Sequence, residues 1–206
     1  MIPVTGTGIA EELVRNNARR PAGPVELVAF GHDDIPRLLQ WVSTPEELHL
    51  WAGAFFAHPL DEGQLECYAR SAEGEHPQRR IFKAICSASG EVIGHIELSH
   101  IWPHLSGRLS RVLVGDPALR GRGVGTRMVR ALVAWAFEEY SFWRIDLGVD
   151  AANRRAIACY EQAGFAHVGT WPRAMTTPVG TIDVRWMSIE RSAATADASE
   201  PVGHKI

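Results

Sequence analysis

The sequence has several marked absences, and each argues against a class of protein. No run of apolar residues approaches the ~20 that a membrane-spanning helix needs, so we predict no membrane partner. The 21 basic and 24 acidic residues give a net charge of −3, which does not suggest nucleic acid as a partner. The three cysteines are widely separated and form no CxxC pair, which argues against a disulfide framework or a zinc site.

The two ends of the 206-residue chain differ from its centre. Residues 1–23 lack the basic start and apolar stretch of a secretory signal, and free cysteines suit a reducing compartment. We therefore expect a cytoplasmic protein with an N-terminal extension. Residues 192–206 are small and polar, which predicts a flexible tail. Residues 24–191 are sufficient for one globular domain.

Hydrophobic periodicity in the central region predicts a mixed α/β domain. Alternating apolar residues predict strands, and apolar residues spaced by three or four predict helices. The predicted elements are a strand at 25–30, helices at 33–42, 43–53 and 61–71, a hairpin at 79–102, a strand at 107–115, a helix from 124, a strand at 142–149, a helix from 153 to 160, and a final antiparallel pair at 165–171 and 181–190. This order indicates early antiparallel pairing and one central strand–helix–strand unit.

The glycine-rich stretch LRGRGVG, at residues 119–125, lies between a predicted strand and a predicted helix. The first N–H groups of a helix have no partner within the helix and lie at the positive end of its dipole. Glycines allow a ligand to approach the backbone closely, and Arg120 and Arg122 add positive charge. The stretch therefore predicts a site for a phosphate or pyrophosphate group.

Two other phosphate-binding motifs fit this stretch poorly. A P-loop is excluded because no Lys-Ser or Lys-Thr pair occurs. The GxGxxG dinucleotide fingerprint fails in both registers, where Thr126 or Met128 stands in place of the third glycine. Asp146 and Asp150 stand about where a ribose-binding acid would be, so a nucleotide-binding oxidoreductase remains an alternative.

Two motifs resemble those of the GNAT N-acetyltransferase superfamily. The stretch RVLVGDPALRGRGVGTRMV contains the family's (Q/R)xxGx(G/A) signature at Arg120, Gly123 and Gly125. The stretch NRRAIACYEQAGF is similar to the second family motif, whose positions are Asn153, Ala156, Tyr160, Gly164 and Phe165. The segments STPEELHLWAG and IDVRWMSIE are similar to small bacterial members, with some likeness to the ribosomal-protein branch.

The resemblance implies an α/β fold whose mostly antiparallel sheet has helices on both faces and a central splay between two parallel strands. Acetyl-CoA would be the cosubstrate, with its pyrophosphate on the glycine-rich turn and its pantetheine arm on the strand edge at 113–115. One strand N–H would polarise the thioester carbonyl. The implied cofactor-binding residues are Leu113, Val114, Gly115, Arg120, Gly121, Arg122, Gly123, Val124, Gly125, Thr126, Asn153, Ala156 and Tyr160. Asn153 is equally suited to capping a helix.

Two residues are candidates for proton transfer. Tyr160 matches the family tyrosine that protonates the departing thiolate, although it also fits a buried helix face. Strand alternation places His95, Glu97 and Ser99 on one face, and Glu97 is the candidate general base, with a structural strand role as the alternative. His95 and His100 fall on opposite strand faces, and no cysteine joins them, so we predict no metal site.

The sequence therefore predicts an acetyl-CoA-dependent N-acetyltransferase in which an amine attacks the thioester directly. The acceptor is a small-molecule or peptide amine, and peptide N-termini, aminoglycosides, polyamines and amino-acid-like amines all stay open. Trp41, Trp51 and Phe55 are candidates for the acceptor pocket or for the core. A non-catalytic acyl-CoA-binding module is an alternative function, and we leave a homodimer open.

Overall fold

The structure, a computed structural model, describes residues 24–177 and 180–191. The predicted N-terminal extension at 1–23 and the predicted tail at 192–206 lie outside the described residues. The strands are β1 (Val25–Ala29), β2 (Arg79–Cys86), β3 (Val92–Trp102), β4 (Ser106–Val114), β5 (Arg144–Asp150), β6 (Ala166–Thr177) and β7 (Gly180–Glu190). The α-helices are α1 (Ile35–Trp41), α2 (Pro45–Ala52), α3 (Glu62–Arg70), α4 (Val124–Tyr140) and α5 (Arg154–Ala163).

The predicted element order agrees with the structure, and the differences lie at element ends. Strand β6 continues to Thr177, past the predicted end at 171, although Pro172 interrupts its sequence. Proline is tolerated because β6 is an edge strand, and the register with β7 shifts between Trp171 and Met175. Strand β5 begins two residues later than predicted, and Phe142, just ahead of it, is a fully buried core residue.

The seven strands form one sheet in the order β1-β2-β3-β4-β5-β7-β6. Every neighbouring pair is antiparallel except β4–β5, which is parallel. This parallel pairing covers only residues 106–108 of β4 and 144–146 of β5. Beyond these residues the two strands separate, which confirms the predicted central splay.

Helices cover both faces of the sheet, as predicted. Helices α4 and α5 pack on one face, where Ile96 and Leu98 of β3 are fully buried. Helices α1, α2 and α3 pack on the other face, towards which the alternating residues His95 and Glu97 point. Each face therefore has its own hydrophobic core, and the splay lies between the two.

Helix α2 begins with the predicted capping box. Thr44 accepts a hydrogen bond from the Glu47 backbone N–H at 3.1 Å, and Glu47 accepts one from the Thr44 N–H at 3.1 Å. Pro45 occupies the first helical turn, where a missing N–H costs nothing. Hydrogen bonds from the backbone of Ser43 are the main cause that lowers the pKa of Glu47. This cap fixes the start of the helix that crosses the splay.

Candidate active site

Helix α2 contacts both strands of the splay. The Trp51 indole N–H donates to the backbone carbonyl of Arg111 on β4 at 3.1 Å. His49, two residues earlier, has its Nε2 3.4 Å from Oδ2 of Asp150, the last residue of β5. At the end of the helix, a side chain at Gly53 would lie 3.1 Å from Met175 of β6. Helix α2 and strand β6 therefore bound the splay on the face opposite α4 and α5.

The end of β4 is pressed closely against helix α1. A Cβ atom at Gly115 would lie 2.2 Å from the indole of Trp41, so only glycine fits there. The half-buried Trp41 thus packs beside the strand edge predicted to carry the pantetheine arm. Trp51, by contrast, is a core residue, whereas Phe55 is 47% exposed.

Strand β4 carries a bulge at the splay. Its register against β3 jumps between the pairs His95–Leu113 and Glu97–Ser110, so β4 has one more residue than its partner here. Arg111 lies in this bulge with φ +47°, in the left-handed region that non-glycine residues rarely occupy. The bulge turns the Arg111 side chain towards Glu97.

Glu97 is fully buried, and both of its carboxylate oxygens are hydrogen-bonded. Arg111 donates to Oε2 at 2.5 Å from Nε and to Oε1 at 3.0 Å from Nη2. The Tyr68 hydroxyl donates to Oε2 at 2.5 Å, and Arg79 Nη1 lies 3.5 Å from Oε1. Burial, followed by the Glu97 charge, raises the pKa of Tyr68 far above its usual value. The base role predicted for Glu97 stays a prediction, but its contacts favour a role in holding Arg111.

His95 lies beside this ion pair and is 1% exposed. The Tyr68 hydroxyl uses its one proton on Glu97, so at 3.0 Å from His95 Nε2 it accepts a hydrogen bond from that nitrogen. The His95 Nδ1 atom is buried without a hydrogen-bond partner among the described residues. Burial is the largest cause that lowers the pKa of His95 to about 3, and the Arg111 charge adds to it. His95 is therefore neutral near pH 7.

The glycine-rich turn has the geometry of an anion site. Gly121 and Gly123 have φ of +76° and +75°, and both are exposed. Gly123 is the N-cap of the 17-residue helix α4 and supplies no side chain to cap it. The N–H groups of the first turn therefore have no helical acceptor and face outward with the positive end of the dipole. A pyrophosphate fits this end of the helix.

Arg120 anchors the turn to the end of β4. Its guanidinium donates to the carbonyls of Val114 and Gly115 at 3.0 and 3.3 Å. Its own backbone N–H donates to the Pro117 carbonyl at 3.1 Å, so this N–H is not available to a pyrophosphate. The adjacent Arg122 is exposed.

The edge of β4 presents the Val114 N–H to the splay. The Gly115 N–H donates to Ile93 of β3 at 3.0 Å, so it points away from the splay. Because successive residues of a strand point their N–H groups to opposite sides, the Val114 N–H faces the splay and that of Leu113 faces β3. Val114 is thus the donor that a pantetheine amide or thioester carbonyl would meet.

Helix α5 closes the splay on the α4 face. Asn153 caps it by accepting the Ala156 N–H at 3.1 Å, which confirms the capping role predicted for Asn153. A side chain at Gly125 of α4 would lie 3.1 Å from Cys159 Sγ and 3.6 Å from Val114. The two helices and the β4 edge therefore meet at one point.

Tyr160 follows Cys159 at this meeting point. It is half-buried and packs against Phe165, and its hydroxyl has no hydrogen-bond partner among the described residues. Burial, and secondarily the neighbouring Cys159, raises the pKa of Tyr160 well above its usual value. The hydroxyl is therefore protonated at neutral pH.

Several residues of the site have no motif in the sequence. Tyr68 and Arg79 reach Glu97 from α3 and β2, and Asp150 meets His49 from 101 residues away. Only the capping box before His49 gave any sign that a helix would stand near the site.

In the part of the chain that the structure describes, no group of three or more His, Cys, Asp or Glu side chains is arranged to hold a metal. None of the described helices is long and apolar enough to cross a membrane.

Comparison with known proteins agrees with this geometry. A model of the Acetyltransferase (GNAT) family matches residues 35–165. Aminoglycoside N(6')-acetyltransferase type 1 of Klebsiella pneumoniae is 31% identical over 169 residues, which cover 76% of this chain and 79% of that protein. Spermidine N(1)-acetyltransferase of Escherichia coli (strain K12) is 28% identical over 85 residues, which cover 41% of this chain and 45% of that protein.

A solved structure is similar along nearly its whole length. The structure of AAC(6')-Ib in complex with ribostamycin and coenzyme A has 26% sequence identity and a TM-score of 0.66, over 86% of this chain and 99% of that one. A splayed parallel pair beside a glycine-rich helix start is the architecture of an enzyme that transfers an acyl group from coenzyme A.

The chain belongs to the GNAT acetyltransferase family. Its reaction is the acetyl-CoA-dependent N-acetylation of an amine, which confirms the predicted fold class, enzyme class and cosubstrate. These relatives are aminoglycoside and spermidine acetyltransferases, and the likeness to the ribosomal-protein branch stays a prediction.

Proposed function

We propose that this enzyme acetylates a primary amine of a small molecule by direct attack on the thioester. The observation that carries this proposal is the splay of β4 and β5, bounded by α4 and α5 on one face and crossed by α2 on the other. Cofactor and acceptor then approach the same gap from opposite faces. The names of the relatives, which specify aminoglycosides and spermidine, support a small amine over a peptide.

The cofactor would lie along the β4 edge and end at the start of α4. The pyrophosphate would accept hydrogen bonds from the backbone between Gly121 and Thr126, with the exposed Arg122 as a counter-charge. The Val114 N–H would polarise the thioester carbonyl as charge develops on its oxygen. Arg120 would act by holding the turn against the strand, because its guanidinium already contacts two strand carbonyls.

Tyr160 is the proposed general acid. Its protonated hydroxyl, free of other partners among the described residues, is suited to giving a proton to the leaving thiolate. The contact between Cys159 of the same turn, Gly125 and Val114 supports a position close to the cofactor. Asn153 and Ala156 would shape the wall of the cofactor channel through the first turn of α5.

Asp150 is the carboxylate we propose to accept the proton of the amine. Its side chain is 19% exposed, and one oxygen is oriented by the Ala152 N–H at 2.8 Å while the other faces His49. Glu97 has no exposed surface and both of its oxygens are occupied, so we assign it a positioning role for Arg111 in place of the base role.

A turnover screen tests the proposal. Acetyl-CoA is incubated with the protein and a panel of small amines and short peptides, and free thiol release is followed. We expect release that depends on a small amine and that falls about 10²-fold in Tyr160→Phe, whose ring packing is unchanged. Binding of acetyl-CoA without turnover on any amine would instead identify a non-catalytic acyl-CoA-binding module.

Two further proposals concern the state of the protein in the cell. We infer a cytoplasmic enzyme, because acetyl-CoA is a metabolite of that compartment and the three cysteines are free. A homodimer stays open as a prediction, and sedimentation equilibrium at micromolar concentration decides between one chain and two.

A further inference from the structure

We infer that the acceptor amine carries a carboxylate, which binds a cluster of three guanidinium groups, Arg79, Arg108 and Arg111. This inference rests on the proposed function and narrows its substrate class. It differs from what the names of the relatives alone would suggest, because an unmodified polyamine or aminoglycoside brings only positive charge to the same place.

The three arginines lie on the acceptor face of the sheet. Arg108 of β4 alternates with Gly107 and Leu109, which face the core under α4: a Cβ at Gly107 would meet Phe142 at 2.7 Å, and Leu109 is 2% exposed. Arg108 therefore points to the opposite face, which α2 and α3 cover. Arg79 and Arg111 are on that face as well, since both contact Glu97.

The cluster has more positive than negative charge. Arg111 uses Nε and Nη2 on Glu97, and Arg79 Nη1 stands 3.5 Å from the same carboxylate without forming a hydrogen bond. The Glu97 carboxylate thus faces two guanidinium groups and also accepts a hydrogen bond from the Tyr68 hydroxyl. Glu97 can neutralise only one of these two positive charges, so the other is left without a compensating carboxylate.

Arg108 adds a second uncompensated charge. Among the described residues it has no carboxylate within ion-pair distance, and its guanidinium lies over the Trp186 ring at 4.8 Å from the centroid. Its register partner on β5, Asp146, is paired with Arg144 at 3.1 Å instead. A stacked guanidinium keeps its in-plane donors available, which is the geometry that binds a carboxylate with two hydrogen bonds.

Strand register brings the three charges together, because Ser99 of β3 pairs with both Arg79 of β2 and Arg108 of β4. The exposed His100 lies beside them, and after partial burial the causes that lower its pKa are the charges of Arg108, Arg79 and Arg111, with Glu97 opposing them. The Phe55 ring, 47% exposed, lies 3.8 Å from the Arg111 guanidinium and 5.1 Å from that of Arg79. An aromatic surface of this kind gives the apolar part of a ligand a contact beside the charges.

The opposite sign lies across the splay, at Asp150 on the end of β5. Trp51 is bonded to the Arg111 backbone, and His49, two residues away, faces Asp150. An acceptor with a positive amine and a negative carboxylate matches this arrangement, with its amine towards Asp150 and the splay. The chemical class is an amino acid or another small amine that carries an acid group.

Matched acceptor pairs test the inference. Each pair is an amine with a free carboxylate and the same amine as its carboxamide, and spermidine and kanamycin serve as cations without an acid group. We measure kcat/KM by thiol release for each acceptor. We expect the ratio of kcat/KM for the carboxylate to kcat/KM for its carboxamide to be at least about ten. In Arg108→Gln this ratio should fall towards one, mainly through a higher KM for the carboxylate.

The ratio is measured within each protein, so a partial loss of folded enzyme does not alter it. Arg79→Gln provides a second variant, and Arg70→Gln, which changes an exposed arginine on α3 away from the cluster, should keep the parent ratio. Equal rates for carboxylates and carboxamides, or preferred turnover of spermidine or kanamycin, would overturn this inference and leave the proposed function intact. No turnover of any amine would overturn the proposed function and this inference with it.

Discussion

Acidification should destabilise this protein through His95. The folded protein holds the imidazole neutral, at 1% exposure, beside the positive charge of Arg111, and its pKa is about 3 against an ordinary 6.5. Between these two values the unfolded chain binds a proton that the folded chain refuses. Stability therefore falls as the pH falls below 6.5, and the loss stops growing below about 3.

The size of the effect follows from the pKa difference. Each pH unit between the two values costs about 1.4 kcal/mol, so 1.5 units of acidification below the ordinary value, at pH 5, cost about 2 kcal/mol. A loss of this size is a large part of the stability of an ordinary domain, which is about 5–15 kcal/mol. The effect should be plain in equilibrium unfolding.

Urea unfolding at pH 7, 6 and 5 measures this loss of stability. The matched control is His95→Gln, which keeps a polar side chain beside Tyr68 but has no titrating group. The variant should be less stable at pH 7, and its further loss on going to pH 5 should be about 2 kcal/mol smaller than that of the parent. All other titratable groups are common to the two proteins, so the difference isolates His95. An equal loss in the two proteins would refute the reasoning.

Three substitutions test the remaining parts of the site. Gly123→Val forces a branched residue to φ +75° and should weaken acetyl-CoA binding about tenfold or more by calorimetry; Gly74→Val, with φ +97° outside the site, should bind normally, and normal binding by the first variant would remove the turn from the cofactor site. Tyr160→Phe should lower kcat about 10²-fold with acetyl-CoA affinity kept, and an unchanged kcat with chemistry rate-limiting would return Tyr160 to a packing role. Glu97→Gln should destabilise the fold by roughly 3–5 kcal/mol by leaving Arg111 unpaired, without shifting the acidic limb of the kcat/KM profile, whereas a shifted limb would restore Glu97 as the base.

The parts of the fold that sequence could predict are those set by local chemistry. The capping box at Thr44, the glycine-rich turn before α4 and the Asn153 cap depend on residues within a few positions, and all three are present in the structure. The order of strands and helices follows from periodicity. These features also carried the family motifs, which is why the cosubstrate could be predicted.

The environment of Glu97 could not be predicted in the same way. Alternation along β3 identified its face correctly, but its burial depends on Tyr68, Arg79 and Arg111, which come from three other elements. The bulge at Arg111, which turns that side chain inward, has no local signature because arginine has no preference for the left-handed region. The His49–Asp150 contact is hidden for the same reason, since it joins residues 101 positions apart.

A single-turnover experiment with isotopically labelled acetyl-CoA tests the central claim most directly. The reaction is quenched at short times, and the intact masses of both the protein and the amine are recorded. Direct transfer predicts that the label passes from cofactor to the amine nitrogen with no acetylated protein at any time. Label on the protein before it reaches the amine, for example on Cys159, or its release only as acetate, would contradict the account.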